Sequence, residues 1–205
     1  MRAFHNDPEL KRLLLLEIRR HERMDAVVSG TYGDMSLSLE EGFKGCAIGC
    51  ALHSLNTING IYCPVPKRTS DHARFPVELG IPVELAYHID QVFENLSPFQ
   101  RKTWPRRVIT ACLVGADLEN IMPALYQWMI LDPARGFISY VTTRQHQDVF
   151  RRFAVLVQQD WSGTITARDV WDDIEEELRS AQAGAWEWAW AWAWTRARTG
   201  AWAWT

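Results

Sequence analysis

What this 205-residue chain has little of narrows its chemistry first. It carries no excess of positive charge: 22 Lys and Arg stand against 25 Asp and Glu, a net charge of −3. Proteins that grip a nucleic-acid polymer gain affinity by neutralising phosphates with Lys and Arg, so this balance argues against DNA or RNA as the partner. Two local basic clusters, Arg19/Arg20/Arg23 and Arg101/Lys102/Arg106/Arg107, leave room only for a small patch. Long apolar runs are missing as well. Residues 13–16 are too short for a signal-peptide core, and nothing approaches the roughly 18 apolar residues of a membrane span. The expected compartment is the cytoplasm, with no membrane partner. Four cysteines in a chain of this length make no disulfide-dense scaffold. No Ser-His-Asp order, HExxH, GxSxG or paired-acid motif occurs. No cofactor and no metal are expected, and the chain reads as non-enzymatic.

What is present is ordinary globular composition, 47% hydrophobic and 23% charged, followed by an unusual end. Residues 184–205 alternate Ala and Trp and hold seven of the 11 tryptophans. A period of two puts every Trp on one face of a strand. Such a flat apolar strand invites edge pairing, so self-association into a homo-oligomer is expected of it; a young appendage without a fold is the alternative. Residues 1–183 then form one globular domain.

Within that domain the spacing is mostly helical. Asn6 or Asp7 caps a first helix that begins at Pro8, with Leu10, Leu13, Leu14 and Ile18 on one stripe. Residues 25–42, with Gly33-Asp34 at a turn, predict a small hairpin. Residues 43–55 predict a helix, and 56–70 a long loop of the kind that often carries function. Further helices follow: a short one stopped by Gly80, one opened by Pro82, and one begun by Ser97-Pro98 and broken at Trp104-Pro105. Pro123 implies a kink or a later start in the helix after Asp117. Residues 137–141 read as a strand, Thr143 begins another helix, and Thr166 with Asp169 resembles a capping box before a last one. The expectation is a predominantly helical α+β fold: six or seven helices with a small hairpin or three short strands, plus the tail.

The most distinctive stretch is residues 42–53, GFKGCAIGCALH. Gly45/Gly49, Cys46/Cys50 and Ala47/Ala51 are three pairs of small residues at i, i+4, which on a helix make one small face for another backbone to pack on. Four readings compete. The cysteines are buried parts of that tight contact. Alternatively, free N–H groups at the helix start, with Lys44 and the loop cations Lys67 and Arg68, bind an anion. A third reading makes Cys46 a thiol nucleophile, although His53 would lie about 10 Å away, two turns on. A fourth gathers Cys46, Cys50, His53 and Cys63 around zinc, but the spacing matches known structural sites poorly. Tyr32, Tyr62 and Phe43 flank the segment and offer faces on which a base can stack.

The runs GTY (30–32), KGCAIGCALHS (44–54), ELGIP (78–82), IDQVFENL (89–96) and GADL (115–118), with Trp104-Pro105, resemble a family of small proteins from tailed phages and prophages of proteobacteria. The resemblance covers roughly residues 1–160 and carries no catalytic residues. It implies an accessory protein acting in the host bacterial cell, and such proteins frequently counter host defence. The resulting expectation is binding or sequestration of a small anionic, nucleotide-type ligand at Tyr32, Lys44, Gly45, Cys46, Tyr62, Lys67 and Arg68. The alternatives are an interaction protein that inhibits a host enzyme, and a cysteine-dependent or nucleotide-hydrolysing enzyme.

Overall fold

The computed structural model describes residues 1–61, 71–164 and 168–181. Helices dominate it, and several starts follow their local chemistry. Asp7 caps α1 (Pro8–Arg23) by accepting from the backbone N–H of Glu9 at 2.8 Å and of Leu10 at 3.2 Å. This satisfies donors that the first turn leaves without partners. α2 (Ala47–Ile58) begins after Cys46 and is buried along Ala47–Asn56. α3 (Arg74–Leu79) stops at Gly80, whose φ of +61° suits a residue without a Cβ. α4 (Val83–Asn95) follows Pro82, and α5 (Pro98–Ala111) opens on a reciprocal capping box between Ser97 and Gln100. Next come α6 (Ile121–Leu131), α7 (Arg144–Trp161), capped by the Thr143 hydroxyl, and α8 (Arg168–Ala181).

The chain divides into two compact units, Met1–Met122 and the residues from Pro123 onward. In the first, α2 packs against α1, α4 and α5. Phe4, Leu14, Ile18, Phe43, Ile48, Leu52, Phe75 and Phe93 fill the core around it. In the second, α7 packs against α8, and Ile130, Val149, Phe150, Ala154, Ile174 and Leu178 are buried together. None of the helices among the described residues is long and apolar enough to cross a membrane.

Several sequence expectations change. The described residues hold eight α-helices where six or seven were expected, and the helix expected at 43–55 begins at Ala47, since Gly45 and Cys46 bond to residues 26 and 31, and runs on to Ile58. No strand occurs among the described residues. The expected hairpin at 25–42 is irregular because Gly30, Gly33 and Gly42 adopt φ of +78°, +88° and +98°, which breaks both arms. Its first arm pairs only at one point: Val28 N–H donates to Gly45 O, and Gly45 N–H to Ala26 O, both at 2.9 Å. Residues expected as a strand near 137–141 instead form a 3-10 turn at Phe137–Tyr140. Pro105 does not break a helix. It lies buried inside α5, where packing on α1, α2 and α4 offsets the roughly 3 kcal/mol cost of an interior proline. Pro123, by contrast, falls in the first turn of α6, so that helix starts late. Thr166 and the Ala/Trp tail at 184–205 lie outside the described residues.

The small face of α2 meets a backbone. A Cβ added at Gly49 would sit 1.9 Å from Tyr32 O, and one at Gly45 2.7 Å from it. Alanine ordinarily favours a helix over glycine by up to about 1 kcal/mol; here the clash with a carbonyl reverses the sign. Gly49→Ala is expected to lose about 1–3 kcal/mol in urea unfolding. Gly60→Ala, with open space around it but φ of +64°, loses about 1–2 kcal/mol from left-handed strain alone.

Candidate functional site

The crossing of residues 31–33 over α2 builds the site. Thr31 O accepts from Cys46 N–H at 2.6 Å, and Gly49 N–H donates to Cys46 Sγ at 3.5 Å. Gly45 N–H, just before the helix, donates to Ala26 O, so three N–H groups around this helix start have acceptors within the chain. An anion site there draws on free N–H groups, and these contacts reduce the number on offer at the expected site. Lys44 is exposed and lies on the side of Asp25, whose carboxyl pKa it helps lower after the larger effect of Lys102. Tyr62, Lys67 and Arg68 lie outside the described residues, as does Cys63.

What the start of α2 does face is α4. Asp90 and Glu94, one turn apart, converge on Cys46: a ligand atom from each of the three lies within 4.8 Å of the others. Tyr32, held by the crossing, reaches into the same place. Its hydroxyl donates to Asp90 Oδ2 at 3.3 Å and lies 3.0 and 3.1 Å from the two ring nitrogens of His72. His72 Nε2 is 3.3 Å from that same carboxylate oxygen, and the His72 ring stacks on Tyr87 at 4.1 Å. Glu94 accepts from Gly30 N–H with both oxygens, at 3.2 and 3.0 Å. Asp90 Oδ1 is buried and has no hydrogen-bond partner.

The site is therefore negative rather than positive. Among the described residues no Lys or Arg forms an ion pair with Asp90 or Glu94. Arg101 comes nearest in sequence position, yet it donates to the Glu94 backbone carbonyl, to Phe93 O and to the Ser29 hydroxyl. Burial, and then the Asp90 charge, push the Cys46 thiol up to about 12. Burial and Asp90 also raise the Tyr32 phenol well above its ordinary value. Both groups hold their protons at neutral pH, which leaves Cys46 without the positive surroundings a nucleophilic thiolate requires.

The other sequence candidates go elsewhere. Cys50 donates to Gly45 O at 3.3 Å and Ala26 O at 3.7 Å, and His53 pairs with His21, so neither joins Cys46 around a metal. Of the expected site residues, the structure brings together Tyr32, Gly45 and Cys46. It adds His72, Asp90 and Glu94, which sequence reasoning missed. The available signal was the i, i+4 spacing of Asp90 and Glu94 in the run IDQVFENL at 89–96.

Compared with protein-family models, with curated proteins and with solved structures, the chain matches none.

Cys46 is expected to resist alkylation in the native state. With a pKa near 12, its thiolate fraction at about pH 8 is on the order of a thousandfold below that of an unperturbed thiol. Iodoacetamide labelling read by peptide mass spectrometry should be slow by that factor and speed up about tenfold for each pH unit.

Proposed function

We propose that this protein binds a divalent cation through Cys46, Asp90 and Glu94, and that the cation recruits a small anionic, nucleotide-type ligand. The observation that carries the reading is the convergence of one soft and two hard ligand atoms within 4.8 Å. Tetrahedral zinc with one sulfur and two oxygens needs separations of about 3.3–3.6 Å, so atoms within 4.8 Å of one another need at most a small closure, about 1.5 Å, to complete the set. The unpartnered Asp90 Oδ1 supplies a lone pair for it. A thiol bound to such an ion is deprotonated outright whatever its resting pKa. Mixed thiolate and carboxylate ligands favour a zinc-like ion over magnesium or calcium.

The same charges decide how a ligand enters. Two carboxylates repel a bare phosphate, so the ligand comes in on the cation. Three protein ligands leave a coordination position open, and a phosphate oxygen can fill it. Tyr87, exposed and stacked on the buried His72, offers an aromatic face on which a base can stack. This reading moves the expected ligand pocket from the N–H groups of α2 to the α2–α4 contact. It keeps the expected role of a non-enzymatic phage accessory protein that sequesters a signal, which rests on the resemblance of sequence motifs.

Equilibrium dialysis against zinc, with elemental analysis, should find about one ion per chain. Cys46→Ser, Asp90→Asn and Glu94→Gln should each weaken uptake at least tenfold while circular dichroism keeps the helical signal. Calorimetry with an adenine nucleotide should show binding only when the cation is present. Failure to take up stoichiometric metal, or uptake indifferent to Asp90→Asn, defeats the reading; uptake without nucleotide binding defeats its second half.

A further inference from the structure

His21 on α1 and His53 on α2 are both buried and meet ring to ring. His21 Nε2 lies 3.0 Å from His53 Nδ1. The remaining nitrogen of each ring faces a backbone carbonyl: His21 Nδ1 is 2.8 Å from Glu17 O, and His53 Nε2 is 3.0 Å from Leu37 O. A carbonyl oxygen only accepts, so each outer contact requires an N–H on its ring. A neutral imidazole carries one N–H. With both placed outward, two bare lone pairs would face each other across the inner contact. Three contacts need three N–H groups, one more than two neutral rings possess.

We infer that His21 and His53 form a buried proton-binding site that takes up one proton, shared between Nε2 of His21 and Nδ1 of His53. As a neutral pair they must give up one of the three contacts; as a monocation they keep all three. A second proton would place two imidazolium rings 3.0 Å apart, so uptake stops at one.

The surroundings both favour and oppose the charge. Phe43 stacks on His53 with ring centroids 4.0 Å apart and meets His21 edge-on at 5.5 Å, and an aromatic face attracts a cation. Around the pair stand Glu17 and Arg20 of α1 and Glu40 of the following loop, with Arg20 paired to both acids. α5, packed on α1, brings Lys102 and Arg106, which are held by Asp25 and Glu22. α4, packed on α2, turns Asp90 and Glu94 toward Cys46 instead. Against the charge stands burial, which pushes His21 down to about 4 and lowers His53 as well. The proton therefore enters as pH falls below the ordinary histidine value toward 4.

The contact at stake ties down a loop. Leu37 belongs to the segment that walls a cavity of about 270 Å³, shared with Glu17, Arg20, His53, Asn56 and Thr57. Gain of the proton secures His53 on Leu37 O, and its loss leaves the network one bond short. The stability linkage has the opposite sense. A folded pKa below the unfolded value of 6.5 means that stability is full above about pH 6.5 and falls as pH drops toward 4.

Imidazole 15N–1H spectra of the intact chain, recorded from about pH 7.5 to about pH 4, test this directly. The expected result is a single concerted transition of both rings worth one proton, ending with N–H signals on His21 Nδ1 and His53 Nε2. In His53→Gln, whose amide can still donate to Leu37 O, His21 should titrate at a different midpoint. Two independent transitions, uptake of two protons in the folded state, or no uptake before unfolding would each overturn the inference. The wild-type proton count decides the matter if the variant does not fold.

Discussion

The approach of the Tyr32 carbonyl to Gly49 is the contact on which the first unit is arranged. No side chain fits between residues 31–33 and α2, since a Cβ at Gly49 would meet that oxygen at 1.9 Å. The closeness sets three further things. It lets Thr31 O take the Cys46 N–H. It seats Gly45 against the 26–28 backbone. It also aims the Tyr32 ring past the helix start so that its hydroxyl reaches Asp90 and His72. Protein interiors are close-packed, so a crossing this tight tolerates small residues alone, and the Gly/Cys/Ala repeat supplies them.

Burial on one side and acid on the other then determine what Cys46 can do. A cysteine at a helix start is ordinarily a candidate thiolate, because free N–H groups and the helix dipole favour negative charge. Here Gly45, Cys46 and Gly49 N–H already have acceptors and two carboxylates stand opposite. The thiol stays protonated, and the place suits a cation better than an anion. The sign of the local field follows from which helix packs across from the residue.

Much of the helical architecture was legible. Asp7-Pro8, Ser97-Pro98 and Thr143 each start a helix where they occur, because capping is a short-range exchange between a side chain and backbone donors within three residues. Gly80 ends one for the same local reason. Pro105 misleads because a proline's effect on a helix depends on what the helix packs against. The hairpin at 25–42 misleads because alternation of apolar residues also fits an irregular segment that packs Met35, Leu37 and Leu39 on the core, and left-handed glycines at three positions turn it.

By itself the sequence determined the helical class, the capped helix starts at Pro8, Pro98 and Arg144, and a small face on residues 45–51 that some backbone must cover. All of these depend on neighbours within about one helical turn. Only the tertiary structure decided that the covering backbone is Tyr32. It alone brought Asp90 and Glu94 to Cys46 across separations of 44 and 48 in residue number, and paired His21 with His53. Those pairings join side chains from different helices. Their distances are set by how α1, α2 and α4 pack, and no periodicity within any one segment encodes them.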